Sequence, residues 1–586
     1  MSDIRKTIPG GATWQEVAAD RRRHRDATVE KCRRQQRDAT VDKCMPEDTD
    51  VSASNGTLLT SHMQLLNLEE LTMTNYNVED ITRGHPNAES ITSAFLRRAA
   101  LAQGVVNCIT ELLPDQAMRR AKELDAYWLE HKKPIGPLHG VPISVKEHIA
   151  MKGLDQNAGF VSWVGRVAEE DALLLQILWD AGAVFHARTA QPQSLMHLET
   201  SSNLYGVTAN PFNPSLTAGG SSGGEGALVG LRGSVLGIGT DIGGSIRSPA
   251  ANNGVFGFKP TAGRLPILGW SAPMAGCEAI LGTIGPLSTS LEGVKLFMKT
   301  VVDAKPWLKS PSLVALDWKD ISGLFSEKRL KVAVMWDDEV VKPHPPITRA
   351  LDNIVMKLHK SQNVDVVDWA PQGHDRAWSI IAGLYFADGG AQTSEAINAS
   401  GEPWMPLSEW IIKDNPHVKK HDVDSLWSAC AERDEYRQKY AELWNTMADV
   451  DVILCPAGPG VAPKLNAARY WGYTSQWNLL DYPAVVFPAK DHVSVDKDGA
   501  DVADYTPRND ADEYNWSQWK EHGAEGYKGA PISLQLVGRR YDDEKVLAAL
   551  EVILEETGLP TTVPPTIEIT PQPLGMPEFQ SFSSMA

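Results

Sequence analysis

The chain has 586 residues, 42% hydrophobic and 22% charged, with 18 Trp. That is globular composition and excludes the collagenous, low-complexity and wholly disordered classes. Asp and Glu (74) outnumber Lys and Arg (56), a formal charge of −18, which argues against nucleic acid as a partner because the molecule repels phosphate. No run of about 18 apolar residues occurs, and Arg21, Arg22, Arg23 and Arg25 precede no apolar signal core, so a soluble, cytoplasmic protein without a transmembrane segment is expected. The six cysteines are scattered without metal-ligand spacing, which suits a reducing compartment and indicates neither a disulfide scaffold nor a zinc site.

In chain order, residues 1–89 read as a polar arm. It contains a tandem duplication, RDATVEKC at 25–32 and RDATVDKC at 37–44, whose period is too short for a solenoid unit; a solvated, Arg-rich surface helix is expected. Amphipathic stretches through Phe95, Leu96, Ala99 and Leu101, and over 117–129, predict helices. A buried strand at 141–145, a helix at 171–183 and a second strand at 184–187 follow, an alternation that predicts an α/β sheet. Residues 218–257 carry Gly so often that helix would cost about 1 kcal/mol per Gly against Ala, and read as a functional loop system. Thr289-x-x-Glu292 is a capping-box pattern for a helix to Val301, with a connector at 304–311. Strands at 330–336 and 364–369 flank a helix, and 378–400 and 425–447 predict helices; this middle section is expected to wall a pocket. Strands at 450–455 and 532–537 precede a helix over 542–557 that stops at Gly558-Leu559-Pro560. The acidic segment 488–528 reads as a solvated insertion, and 561–586 as a tail.

Three elements carry chemistry. Lys146 ends the apolar run Pro142-Ile143-Ser144-Val145, where burial would lower its pKa as a lysine base requires. Gly219-Gly220-Ser221-Ser222-Gly223-Gly224 sets two hydroxyls between glycines that let the backbone approach a ligand. Gly243-Gly244-Ser245 places a hydroxyl beside unhindered N–H groups that can hold a developing oxyanion. A competing motif, Gly220-x-Ser222-x-Gly224, has the form of a nucleophile elbow with Asp481 and His492 or His522 as partners. Gly237-x-Gly239 starts like a dinucleotide fingerprint, but Ile242 stands at its third glycine.

The stretches 219–230 (GGSSGGEGALVG) and 237–249 (GIGTDIGGSIRSP) resemble the amidase signature family of serine hydrolases, in particular its fungal acetamidase-type branch. The similarity extends to Gly136-Pro137-Leu138-His139-Gly140, to Phe256-Gly257-Phe258-Lys259-Pro260 and to Leu534-Gln535-Leu536-Val537-Gly538. It implies a single large α/β/α catalytic domain over 90–560 with a mixed central sheet. It also implies a Ser-Ser-Lys triad of Ser245 as nucleophile, Ser221 as bridging serine after a cis peptide bond and Lys146 as base. Oxyanion donors would be the N–H groups of Ile242, Gly243, Gly244 and Ser245, with Ser222, Asp241 and Arg247 supporting. Leu195, Met196, Gly219 and Gly220 would bind substrate, with His197 and Cys277 nearby. Glu147 departs from the Asp that many members carry after the lysine.

The reaction so implied is hydrolysis of a carboxylic amide through an acyl-enzyme, with esterase side activity, no metal and no cofactor. Small aliphatic or aromatic amides are the favoured substrates, with larger aryl amides, carbamates or amide-containing toxins as the alternative. A homodimer is compatible with this reading. A reading of a different class is an amidotransferase-like subunit of a larger assembly, against which the negative charge and the N-terminal arm both speak.

Overall fold

The apolar runs at 141–145, 184–187, 450–455 and 532–537 become strands of one sheet. The computed structural model describes residues 11–34, 66–84, 87–321, 323–499 and 505–564. Its strands are β1 (Ile109–Leu112), β2 (Pro142–Lys146), β3 (Val184–Thr189), β4 (Ser201–Ser202), β5 (Gly206–Val207), β6 (Leu236–Asp241), β7 (Phe256–Lys259), β8 (Thr283–Ser288), β9 (Leu330–Val334), β10 (Val364–Asp368), β11 (Val452–Pro456), β12 (Ala484–His492) and β13 (Pro531–Val537). Eleven of them form a mixed sheet in the order β1-β3-β2-β6-β8-β7-β12-β13-β11-β9-β10, and β4 with β5 makes a separate ribbon. Helices flank this sheet, so the architecture is the expected large α/β domain.

Every residue of β2 and of β6 is buried, as strands covered on both faces require. β2 runs parallel to both β3 and β6, with Ile143 opposite Leu236 and Val145 opposite Ile238. Their C-terminal ends therefore lie side by side, and that end of the sheet carries Lys146 and Asp241.

The Gly-rich region is not a loop system. It holds the helices Gly223–Gly230 and Arg247–Asn253 together with β6 and β7. Tertiary contact overrides the propensity cost: a Cβ on Gly224 would lie 2.5 Å from the Ala190 amide nitrogen, so the helix approaches β3 more closely than any side chain allows. The cap at 289–292 is shifted by one residue, with Ser290 Oγ accepting from the Gly293 N–H at 3.0 Å. The helix expected over 378–400 is two, His374–Tyr385 and Ala391–Ser400, parted at Gly389 and Gly390, which have φ of 71° and 76°.

The acidic segment is docked along one side rather than solvated throughout, although Asp496, Asp510, Glu513 and Glu521 are exposed. Asp491 and Asp498 pair with Arg349, and buried Asp512 accepts from the Lys342 N–H at 2.9 Å. Trp516 and Trp519, on the helix Asp510–Gly526, belong to the main core. Indoles supply the apolar area that the segment's scarce aliphatic residues do not.

The first copy of the duplication lies in the helix Trp14–Arg34; the second lies outside the described residues, as does all of the tail beyond 564. That helix is docked rather than free. Val29 and Cys32 pack with Leu96, Ala99, Ile109 and Leu112, and Val17 and Ala18 pack with Val161, Leu204 and Tyr205. Arg22 donates to the carbonyls of Asn203 and Leu204, and Arg25 to Asn107 Oδ1 at 2.8 Å. At about 1.5–3 kcal/mol for each large apolar side chain buried, removal of residues 1–34 is expected to lower the apparent melting temperature by roughly 5 °C. Differential scanning fluorimetry of the truncated chain checks this, and an unchanged melting point would show that these contacts add nothing.

Candidate active site

Lys146 ends β2 with no exposed surface. Its Nζ lies 2.7 Å from Ser221 Oγ, 3.0 Å from Ser222 Oγ and 3.0 Å from Thr240 Oγ1. Burial lowers its pKa to about 7; the carboxyls of Asp241 and Glu225 act through space in the opposite sense. Glu225 does little as a counter-ion, because burial raises its own pKa to about 8 while the Ser144 and Thr189 hydroxyls donate to it. The partners that touch the amine are hydroxyls, so desolvation wins.

Two turns bring the serines to this amine. The Gly220–Ser221 peptide bond is cis, and Ser222 precedes the helix Gly223–Gly230. Beyond β6 the chain turns through Ile242, Gly243, Gly244 and Ser245 into the helix Arg247–Asn253. Asp241 organises that turn. Its carboxylate accepts from the Gly244 N–H at 2.9 Å, the Ile246 N–H at 3.0 Å and Asn478 Nδ2 at 3.0 Å, and Arg247 clamps it with Nε and Nη2. Burial alone would push this carboxyl up, but Arg247 holds it well below the usual carboxylate range. Tyr385 donates to the Ile242 carbonyl at 2.8 Å and Thr474 to the Gly243 carbonyl at 2.7 Å.

Of the four N–H groups expected to face an oxyanion, that of Gly244 is taken by Asp241. Those of Ile242, Gly243 and Ser245 are unengaged among the described residues. Ser245 Oγ likewise makes no hydrogen bond among them and opens onto a cavity. Gly244 has φ 129°, and a Cβ there would lie 2.4 Å from Thr474 Oγ1, so no other residue fits the turn.

The amidase family profile matches residues 90–547. The chain belongs to the amidase family. It is 45% identical over 548 residues to an inferred amidase of Schizosaccharomyces pombe, covering 92% of this chain and 99% of that one. To the acetamidase of Aspergillus oryzae it is 37% identical over 560 residues, covering 92% and 98%. Among solved structures a fatty acid amide hydrolase superposes with a TM-score of 0.81 at 32% identity, covering 95% of this chain and 99% of that one. The chain is therefore an amide hydrolase.

The cavity of this amidase is lined by Ser221, Ser245, Thr240, Asp241, Ile242 and His148, by Ser194, Leu195 and Met196, and by Trp270, Ala272, Pro273 and Met274. One expectation needs correcting. Gly219 and Gly220 do not line it: Gly219 packs against Pro249, and Gly220 against the backbones of His197 and Glu199. Cys277 is exposed and outside the lining, three residues past Met274. His197 is also outside, buried with its pKa lowered to about 3 by desolvation. The middle section backs the wall without forming it, as where Ala396 and Ile397 pack behind Leu195.

The elbow reading finds no triad. The Ser222 hydroxyl faces Lys146 and the Thr240 carbonyl, Asp481 is held by Ala262 and Arg540, and His492 packs on Phe212. Glu147, the departure from the family pattern, accepts from the Asn157 and Ala158 N–H groups at 2.7 and 3.0 Å, and so braces the loop after Lys146. His148, Thr240, Trp270 and Met274 are lining residues that motif reading did not single out. Thr240 and His148 had a signal in standing next to Asp241 and two residues past Lys146. A second cavity shares Trp471 and Thr474 with the back of the Gly243-Gly244 turn but contains none of Lys146, Ser221 and Ser245.

Arg247→Met is expected to destabilise the fold by about 3–5 kcal/mol by leaving Asp241 buried and uncompensated. A depressed carboxyl contributes stability above its unfolded pKa of about 3.9, and that stability is lost as pH falls through the lower folded value. In the variant the carboxyl rises and takes up its proton more readily, so the deficit should be largest at neutral pH and shrink towards about pH 4. Denaturant titrations of both chains at the two pH values measure it; an equal deficit at both would contradict a charged Asp241.

Proposed function

We propose that the chain hydrolyses carboxylic amides through an acyl-enzyme, with Ser245 as nucleophile, Ser221 as bridging serine and Lys146 as base. The observation that carries this reading is a water-excluded amine 2.7 Å from Ser221 Oγ, beside a cavity onto which Ser245 also opens. Neutral Lys146 takes the Ser221 proton while Ser221 takes that of Ser245, and Ser245 Oγ bonds to the amide carbonyl carbon. The resulting oxyanion faces the N–H groups of Ile242, Gly243 and Ser245. The relay then runs backwards: the Lys146 ammonium returns its proton through Ser221 to the leaving nitrogen, and the C–N bond breaks. Water attacks the Ser245 ester by the same route, releasing the acid and restoring the hydroxyl.

An apolar lining of Leu195, Met196, Ile242, Trp270 and Met274 suits an uncharged acyl group, and the acetamidase relatives support small acyl amides as substrates. Ammonia or amine release over a series of amides graded from acetyl and benzoyl to long-chain acyl groups tests this. Turnover that rises with chain length would replace it with a long-chain reading.

Lys146 accepts a proton only when neutral, hence above its pKa of about 7. kcat/KM should therefore rise about tenfold per pH unit below that value and level off above it. Lys146→Ala should abolish this limb and lower amide turnover by about 10²–10⁴, and Ser221→Ala should act similarly with the fold intact. A fluorophosphonate should label Ser245; label on Ser222 would instead revive the elbow.

A further inference from the structure

A neutral lysine has two N–H donors and one lone pair, so its three hydroxyl neighbours cannot all play the same part. Where each hydroxyl sends its own proton decides which of them meets the lone pair. His148 Nδ1 lies 2.9 Å from the Ser271 carbonyl oxygen, which can only accept, so the proton of the neutral ring is on Nδ1. Nε2 is then bare, 3.0 Å from Thr240 Oγ1, and receives the Thr240 proton. Thr240 is left able only to accept from Lys146. Ser222 Oγ lies 3.3 Å from the Thr240 carbonyl and sends its proton there, so it too faces Lys146 as an acceptor. Both N–H groups of neutral Lys146 are thereby claimed, and its lone pair falls to Ser221, the shortest of the three contacts.

We propose that His148 is a positioning residue: as the Nδ1–H tautomer it fixes the Thr240 hydroxyl as an acceptor and so aims the Lys146 lone pair at Ser221. This inference rests on Lys146 being the base proposed above. The ring is built to hold this state. The Ser271 N–H and Gln156 Nε2 both donate to the His148 carbonyl, at 2.8 and 2.7 Å, and Trp270 stacks on the imidazole at 5.9 Å. Burial first, then neighbouring Lys146, lowers the His148 pKa to about 3, so the ring stays neutral while Lys146 titrates. Of the ionisable groups nearby, Asp241 from β6 and Glu225 from the helix Gly223–Gly230 act through space on Lys146 and Arg188 from β3 on His148, while Glu147, between the two residues, has its pKa raised to about 7 by burial and accepts from Gln191 and from the Asn157 and Ala158 N–H groups. None of them is placed to take the Thr240 proton. Without an acceptor at Nε2, the Thr240 hydroxyl turns to the lysine lone pair, which favours the neutral amine but points it away from Ser221.

The test compares His148→Phe, His148→Asn and His148→Gln in amide kcat and KM between about pH 5 and 9, with melting temperatures as the check on folding. The Gln amide oxygen can stand where Nε2 stood; the Asn amide ends near the Nδ1 position and does not reach Thr240. The Phe and Asn variants should lose about tenfold or more in kcat with KM little changed. Their acid limb should also move to lower pH, and Gln should recover most of both properties. A folded Phe or Asn variant whose acid limb stays at the wild-type pH, with activity kept or lost, overturns the proposal, and so does Gln behaving no better than Asn. If Phe does not fold, Asn against Gln decides it. Amide turnover retained by Lys146→Ala sinks the lysine-base reading itself, an outcome separate from any behaviour of His148.

Discussion

A primary amine shut away from water keeps its proton only if something anionic touches it, and Lys146 is touched by three hydroxyls instead. Nearly everything around it serves that imbalance. Strands covered on both faces exclude solvent, and the glycines of the helix Gly223–Gly230 let backbone close over the site. Glu225, one of the two acids that act on Lys146 through space, is itself pushed towards the neutral form by the same burial. A carboxylate in contact would raise the pKa of the amine and hold it protonated at neutral pH, leaving no lone pair to accept a proton; water would do so more gently.

Asp241, at the end of the neighbouring strand β6, meets the same low dielectric with the opposite solution. It stays charged because a guanidinium, an amide and backbone N–H groups surround it. Its charge then becomes structural, gathering the end of a strand, a tight turn, the start of a helix and Asn478 from the helix Gly472–Leu479 around one carboxylate. The turn so fixed presents Ser245 and the free N–H groups to the cavity. Hydroxyls of Tyr385 and Thr474 hold the intervening carbonyls from behind. The site is a pair of opposite electrostatic solutions built on adjacent strands.

Where function compresses residues into a short stretch, sequence order was informative: Lys146 at a strand end and the serines at 221, 222 and 245 stand together in space as their motifs imply. Long strands without glycine, such as those at 330–334 and 452–456, were legible from their apolar runs. Strands β6 and β8 were not, because Gly237, Gly239 and Gly285 dilute the pattern for reasons of close packing that appear only in three dimensions. The segment 491–522 misled because its acids find partners on Arg349 and Lys342, far away in sequence, and its apolar surface is carried by two indoles. Part of the pocket lining suffers the same loss, since Trp270 and Met274 reach it only through tertiary contact and no local spacing announces them.

The parallel pairing of β2 with β6 separates two properties of the enzyme. Interstrand hydrogen bonding sets the separation of these strands at about 4.8 Å, so the relation between Lys146 and the Ser245 turn is inherited from the sheet. The segments 194–196 and 270–274 that shape the cavity lie outside the strands of that sheet. Substitutions at 194–196 and 272–274, clear of the Trp270 and Ser271 that hold His148, can remodel which acyl groups enter without shifting Lys146, Ser221 or Ser245. Selectivity in this architecture can drift by small steps while the chemistry stays in place, a modularity that suits a scaffold diversifying across many amides.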